Sequence, residues 1–195
     1  MLSKNQIKLI TSLKQKKYRQ QHKLFVVEGK KTINELLQSK LELQHLYTTT
    51  LEFDVLENLV TKISNNELKK ISFLKTPNTA LAVFKIPKEQ PIDYNNLIVA
   101  LDNVRDPGNL GTIIRLCDWF GVKDLLCSIE TVDCYNPKVI QATMGSITRV
   151  NVSYLDLKQI LSDTNSEVLG AFMDGENIYE NKLPKSGIIV LGNEA

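Results

Sequence analysis

The chain has 195 residues, of which 43% are hydrophobic and 24% are charged, and its formal net charge is +2. This composition is typical of a folded globular protein and excludes a disordered chain. No apolar run approaches the ~20 residues of a membrane-spanning helix, and the polar start lacks the core of a signal peptide, so we expect a cytoplasmic protein without membrane association.

The first part of the chain alternates between helical and strand patterns. Amphipathic spacing predicts helices over residues 5–17, 31–38 and 51–62, and apolar runs predict strands over 24–27, 43–48 and 81–84. Between Lys4 and Lys31 there are nine basic residues and a single acid, Glu28. A basic run on its own more often marks a solvated helix face than a polyanion site. If it does bind phosphates, we expect Lys16, Lys17 and Arg19 to make the contacts.

A polar segment bounded by Pro87 and Pro91 has no apolar period and is interpreted as an interdomain linker. The sequence therefore predicts a first domain over residues 1–87, a linker over 88–94 and a second domain over 95–195. In the second domain, strands over 97–101, 124–128, 149–152, 168–172 and 188–191 alternate with helices over 109–120, 137–144 and 156–162. This alternation predicts an α/β fold with a parallel sheet.

The segment 101–115 is where we place the chemistry, because a strand passes into a helix through a loop with Pro107 and Gly108. Asn109 is expected to cap the helix. Apolar residues up to Phe120 are expected to pack on the sheet, which leaves Gly111, Thr112 and Arg115 on a face for ligands. Ligands of open α/β sheets bind beyond the carboxyl ends of the strands, so the loops after Leu101, Phe172 and Leu191 are the expected site walls.

Other kinds of site are disfavoured by the sequence. It contains neither the glycine spacing of a dinucleotide fingerprint nor a phosphate-binding Gly-Lys-Ser/Thr loop. The three cysteines, Cys117, Cys127 and Cys134, lack the spacing of paired metal ligands, and we expect them to be reduced packing residues with no metal.

Four stretches of the sequence resemble the SpoU/TrmH family of RNA ribose 2′-O-methyltransferases, part of the SPOUT superfamily. Residues 102–115 match the family's first motif, Asp-x-x-x-Asp/Asn-Pro-x-Asn-x-Gly-x-x-x-Arg, and residues 188–194 match the start of the second, an apolar strand followed by Gly-x-Glu. Residues 17–19 and 25–29 resemble the N-terminal substrate-binding domain found in many members. The third motif does not occur before Ala195, so we expect a C-terminally truncated family member.

The resemblance implies a small N-terminal α/β RNA-binding domain followed by an incomplete SPOUT domain of the trefoil-knot type. It also implies S-adenosylmethionine as cofactor, ribosomal or transfer RNA as substrate, and a homodimer in which Trp119 beside Phe120 lies at the interface. The expected cofactor wall, by resemblance, consists of Ala171, Met173, Leu191 and Gly192. Asn109 and Glu194 are expected to be polar organisers of catalysis.

Arg115 matches the family's catalytic arginine. Because a guanidinium stays protonated, we favour stabilisation of the developing 2′-alkoxide over acceptance of its proton, which remains the alternative. The sequence is also compatible with two other functions. One is a non-catalytic RNA-binding protein, for which the basic N-terminal part would suffice, and the other is a methyltransferase of the same superfamily that acts on a base.

Overall fold

The computed structural model describes residues 1–170, 172, 174–177, 179–180 and 184–192. The helices in chain order are α1 (Lys4–Ser12), α2 (Lys16–His22), α3 (Lys30–Leu37), α4 (Asn65–Ile71), α5 (Pro107–Phe120), α6 (Pro137–Thr143) and α7 (Leu157–Asp163). The strands are β1 (Leu24–Glu28), β2 (Leu43–Thr48), β3 (Val60–Lys62), β4 (Ala80–Lys85), β5 (Leu97–Leu101), β6 (Asp124–Ser128), β7 (Asn151–Leu155), β8 (Val168–Gly170) and β9 (Gly187–Leu191).

Two of the predicted helices in the first part of the chain are wrong in extent or in kind. The helix predicted over 5–17 ends at Ser12, and a second helix begins at Lys16. The helix predicted over 51–62 does not form, because only Glu57–Leu59 makes a 3-10 turn and Val60–Lys62 pairs with β2 in a sheet. Helix α4 was not predicted, although Ser64 and Glu67 form a capping box at its start.

The chain divides into two compact units that differ from the predicted domains. Met1–Lys88 and Tyr135–Thr148 form the first unit, while Glu89–Cys134 and Arg149–Ala195 form the second. The division after Lys88 falls in the predicted linker. The assignment of residues 135–148 to the second domain does not agree with their packing, because Tyr135 lies 4.8 Å from Phe25 of β1 between ring centroids and α6 packs on the same strand.

The first unit is built on a four-stranded sheet with the order β1-β4-β2-β3. β4 is antiparallel to β1 and to β2, and β3 is parallel to β2. Because side chains alternate between the faces of a strand, Val26 of β1 joins one core with α1 and α4, while Phe25 packs towards Phe84 on the other face. The unit therefore has helices on both sides of its sheet.

The second unit contains a five-stranded sheet with the order β7-β6-β5-β9-β8, in which every paired strand is parallel. This confirms the predicted parallel α/β fold. Leu157 of α7 packs with Ile98 and Ala100 on one face. Helix α5 packs against β6 on the other face of the sheet.

The three cysteines are buried and form no disulfide. Burial raises the pKa of the Cys117 thiol to about 11 and that of Cys127 to about 12, so both remain protonated at neutral pH. Within the described ranges, no cluster of histidine, cysteine and carboxylate side chains has the arrangement of a metal site. In the same part of the chain, no helix is both long and apolar enough to cross a membrane.

Candidate functional site

The candidate site lies at the carboxyl ends of β5 and β9 in the second unit. The chain runs from β5 to its neighbour β6 on one side, whereas β9 pairs with β5 on the other side. The order of the strands therefore reverses at β5. A reversal of this kind leaves a crevice beyond the carboxyl ends of the two strands, and open α/β sheets bind their ligands there. The backbone N–H of Asp102 donates to the carbonyl oxygen of Leu191 at 2.9 Å, which joins the two loops that border this crevice.

The loop after β5 is held in place by a hydrogen-bonded network from the loop after β6. Asn103 adopts a left-handed conformation with φ of 58°, and its N–H donates to Ser128 Oγ at 2.9 Å. The Ser128 and Thr131 hydroxyls lie 3.2 Å apart, and Thr131 Oγ1 donates to the carbonyl of Leu101 at 3.3 Å. These buried hydroxyls fix the direction in which the chain enters α5, and no motif or spacing in the sequence points to them.

Helix α5 begins earlier than predicted, because Asp106 and not Asn109 is its N-cap. Asp106 Oδ1 accepts from the backbone N–H of Asn109 at 2.8 Å, and Pro107 occupies the first helical turn, where a missing N–H costs nothing. Asn109 is thus inside the helix and exposed. Within the described residues, its side-chain amide has no hydrogen-bond partner, so it is available to a ligand.

The exposed face of α5 carries Asn109, Thr112 and Arg115 at successive intervals of three residues. Arg115 has no ion pair or hydrogen bond with any described residue. Gly111 was expected on this face but is buried, and Phe120 was expected to pack on the sheet but is 74% exposed. Both differences arise because the buried stripe of α5 lies at a different angle around the helix than expected. This stripe consists of Leu110, Gly111, Ile114 and Cys117.

The predicted cofactor wall is only partly within the described residues. Leu191 is half-buried at the end of β9, and Gly192 follows it on the surface. A Cβ atom built on Gly192 would have no neighbour within 4 Å among the described residues, which leave open space for a ligand beside this backbone. Ala171, Met173 and Glu194 lie outside the described residues.

The three predicted RNA-contacting residues are in α2 of the first unit, and one of them has a different role. Lys16 and Lys17 are exposed, and Lys17 Nζ lies 4.7 Å from the centroid of the Tyr18 ring. Arg19 is only 2% exposed, and its Nη1 donates to the carbonyls of Leu13 and Lys14 at 2.8 and 2.9 Å. Arg19 therefore donates to two carbonyls at the junction of α1 and α2, one of them in a buried contact, and its buried guanidinium is not presented to RNA.

We expect Arg19→Ala to lower the free energy of unfolding of the first unit by about 2–4 kcal/mol, since it leaves two carbonyls without their charged donor. Urea denaturation followed by circular dichroism measures this change. Gln20→Ala, at an exposed residue next to Arg19 on the same helix, is the matched control and should change it by less than about 0.5 kcal/mol. Equal stability of the two variants would contradict a structural role for Arg19.

Two known protein families match the two parts of the chain. Residues 96–195 match the SpoU rRNA Methylase family, and residues 4–82 match the MRM3-like substrate binding domain. Together the two matches include α2, α5 and the ends of β5 and β9.

Curated relatives are similar over most of the chain. The mitochondrial rRNA methyltransferase 3 of Xenopus tropicalis is 32% identical over 161 residues, which are 74% of this chain and 39% of that protein. The human protein of the same name is 28% identical and is covered to 38%. The chain thus spans about two fifths of the length of these relatives. A 23S rRNA (guanosine(2553)-2′-O)-methyltransferase of Bacillus subtilis is 28% identical over 98% of this chain and 81% of its own length.

Solved structures of similar fold cover both units. A TrmH-family structure from Porphyromonas gingivalis matches 100% of this chain and 82% of its own chain, with 36% identity and a TM-score of 0.91. An AdoMet-bound rRNA methyltransferase from Sinorhizobium meliloti matches 98% of this chain and 78% of its own, with 27% identity and a TM-score of 0.82.

Proposed function

Because the chain belongs to the SpoU rRNA Methylase family, we propose that the protein transfers a methyl group from S-adenosylmethionine to a ribose 2′-hydroxyl of ribosomal RNA. The observation that carries the proposal is the exposed face of α5, which holds Asn109 and Arg115 on the helix that follows the loop joined to the end of β9. Transfer RNA is the other substrate expected from the sequence, but the relatives described above are named for ribosomal RNA.

The described part of the cofactor wall fits S-adenosylmethionine. The space beside Gly192 and the half-buried Leu191 side chain suit the approach of a ligand to backbone and apolar groups. When bound, S-adenosylmethionine supplies an electrophilic methyl group on a sulfonium sulfur. Residues 191–192 would hold it at the end of β9, and the Asp102–Leu191 hydrogen bond keeps this wall next to the start of α5.

Arg115 is proposed to stabilise the negative charge that develops on the ribose 2′-oxygen as its proton passes to solvent water and the oxygen forms its bond to the methyl group. A fixed cation lowers the activation barrier of methyl transfer most when it is in position before the reaction. Helix α5, which carries Arg115, is held at its start by the Asp106 cap and near its end by the ion pair of Asp118 with Arg149 (2.8 Å). Asn109, six residues earlier on the exposed face, would orient the ribose through its side-chain amide, which none of the described residues engages.

The proposal is tested by methylation of ribosomal RNA from a strain that lacks the gene. The purified protein and radiolabelled S-adenosylmethionine should label this RNA and not RNA from the parent strain, and nucleoside mass spectrometry should find a methylated ribose. A methylated base would identify a base methyltransferase. Tight RNA binding without any labelling, together with unchanged ribose methylation in the deletion strain, would identify a non-catalytic RNA-binding protein.

The exposed basic residues of α2 are proposed to contact RNA phosphates. Each phosphate contact adds about one unit to the slope of log affinity against log salt concentration. Lys16→Ala with Lys17→Ala should therefore weaken RNA binding and reduce that slope by up to about two units, as measured by filter binding at several salt concentrations. Lys40→Ala with Lys62→Ala, two exposed lysines of the same unit, is the charge-matched control. Equal slopes for the two pairs would show that Lys16 and Lys17 only form a solvated face.

We further propose that the protein is a homodimer that buries the C-terminal half of α5. Leu116, Trp119 and Phe120 share this part of the helix and are 50%, 84% and 74% exposed, which is a large apolar surface for one helix end. Trp119→Asp should convert a dimer to a monomer in analytical ultracentrifugation. Ile129→Asp, at an apolar residue that is 62% exposed outside α5, should leave the dimer intact. A monomeric parent at micromolar concentration would contradict the dimer.

A further inference from the structure

The first unit contains a cleft that the proposed reaction does not use. It lies between β1, the loop that follows α4, and α6, and it has an empty volume of about 330 Å³ including its open mouth. Its lining residues are Val26, Glu28, Phe73, Leu74, Pro137, Lys138 and Gln141. The cleft is open to solvent at its mouth, so a planar ring can enter it edge first.

The Glu28 carboxylate on one wall is held in a fixed position. Its Oε1 accepts from the backbone N–H of Phe73 at 2.8 Å, and its Oε2 accepts from the Ser72 hydroxyl. A carboxylate has about four acceptor positions, so two of them remain. Burial raises the pKa of Glu28, while the hydrogen bonds from Ser72 and Phe73 act in the opposite direction. The carboxylate thus offers two adjacent oxygen acceptors that need no reorientation.

The other walls offer complementary groups. Lys138 and Gln141 on α6 are exposed, so an ammonium donor and an amide with both a donor and an acceptor face solvent there. Phe73, Leu74 and Pro137 are half-buried and supply apolar surface between the polar walls. The cleft therefore combines a fixed pair of acceptors, an adaptable amide, apolar walls and a cation at its rim.

We propose that this cleft binds a guanine base from a single-stranded segment of the RNA. The Watson–Crick edge of guanine has two adjacent N–H donors, N1–H and N2–H₂, which match the two oxygens of Glu28, and its O6 can accept from the Gln141 amide. Lys138 would contact a flanking phosphate. Unpaired bases are commonly recognised by such hydrogen bonds to their edges.

The carboxylate discriminates against the other bases. Uracil has one N–H between two carbonyl oxygens, which would face the Glu28 oxygens with like partial charges. Adenine and cytosine each place one amino group next to an unprotonated ring nitrogen, so the second oxygen would meet a lone pair. The inference rests on the proposed function only in taking RNA as the ligand. The match of residues 4–82 to a substrate binding domain supports RNA as the ligand of the first unit.

The test uses the full chain and fluorescein-labelled ribo-oligonucleotides of twelve nucleotides: oligouridine, and the same 12-mer with one central G, A or C. A two-donor match to a carboxylate should give the G-containing 12-mer about tenfold higher affinity than the others in fluorescence anisotropy, as other paired base contacts do. Gln141→Ala and Glu28→Gln should reduce this preference to less than about twofold. Gln44→Ala, an exposed glutamine on β2 of the same unit, should keep it.

The outcomes separate this site from the proposed reaction. Equal affinities for the four 12-mers, or no measurable binding of any of them, would overturn the guanine site even if the protein methylates ribosomal RNA. A guanine preference that persists in the soluble, folded Gln141→Ala variant and in Glu28→Gln would also overturn it. A preference lost in the variants, in a protein that methylates no RNA, would support the cleft and refute the reaction.

Discussion

Replacing Arg115 by alanine is expected to lower the rate of methyl transfer by about 10²- to 10³-fold, the usual cost of removing one group that stabilises a developing oxyanion. Affinity for S-adenosylmethionine should stay within about twofold of the parent value, because Arg115 is on the exposed face of α5 and the proposed cofactor wall is at the end of β9. Single-turnover rates at saturating RNA and calorimetric titration with the cofactor measure the two quantities separately.

Two further variants define what Arg115 contributes. Arg115→Lys keeps the charge but loses the planar fork, so it should recover little of the rate if bidentate contact to the ribose and a phosphate matters. Lys158→Ala removes an exposed cation from α7 of the same unit and should leave the rate unchanged. Near-normal turnover of Arg115→Ala would remove this residue from the mechanism.

Replacing Gly187 by alanine is expected to destabilise the second unit by about 2–4 kcal/mol, which is a large effect for one methyl group. Gly187 begins β9 with φ of 145°, a backbone conformation that residues with a side chain rarely adopt. A Cβ atom there would lie 2.7 Å from the carbonyl oxygen of Glu167, which is backbone and cannot rotate away. The strand next to the proposed cofactor wall would have to shift.

Two other glycines of this unit provide graded controls for Gly187→Ala. Gly121 ends α5 with φ of 74° but has space for a Cβ atom, so Gly121→Ala should cost about 1 kcal/mol. Gly192→Ala meets no neighbour and should cost less than about 0.5 kcal/mol. Hydrogen exchange of the β9 amides, compared across the three variants, tests this order. Equal protection of β9 in all of them would contradict the steric argument.

The sequence was sufficient to predict β2, β5 and β6 because their patterns are local. A run of five apolar residues from Leu97 is bounded by asparagines and by Asp102, so few alternatives fit it. The helix predicted over residues 51–62 is wrong because Leu51, Val55 and Leu59 have helical spacing although no helix forms there. Pairing of Val60–Lys62 with β2 decides its structure, and that partner is distant in sequence.

In the candidate site, too, local features were predictable from the sequence, whereas contacts between distant residues were not. The order of Asp106, Pro107, Asn109 and Arg115 was enough to predict an exposed helix after a strand, and the structure confirms the helix and the exposure of both Asn109 and Arg115. The burial of Arg19 was not predictable from composition, since an arginine is rarely fully buried unless it is paired, and the sequence does not show its partners. Those partners, the carbonyls of Leu13 and Lys14, become visible only when α1 ends at Ser12.

The return of residues 135–148 to the first unit has a consequence for synthesis on the ribosome. Phe25 of β1 lacks its neighbour Tyr135, and one face of the sheet lacks α6, until the chain has been made up to residue 148. At roughly 5–20 residues per second, the 60 residues from 89 to 148 take roughly 3–12 s to translate. During this interval the nascent first unit exposes apolar surface, which is the state that chaperones bind. An N-terminal fragment that stops at residue 88 should therefore aggregate, whereas a chain nicked within the 88–94 linker after folding should keep its first unit intact.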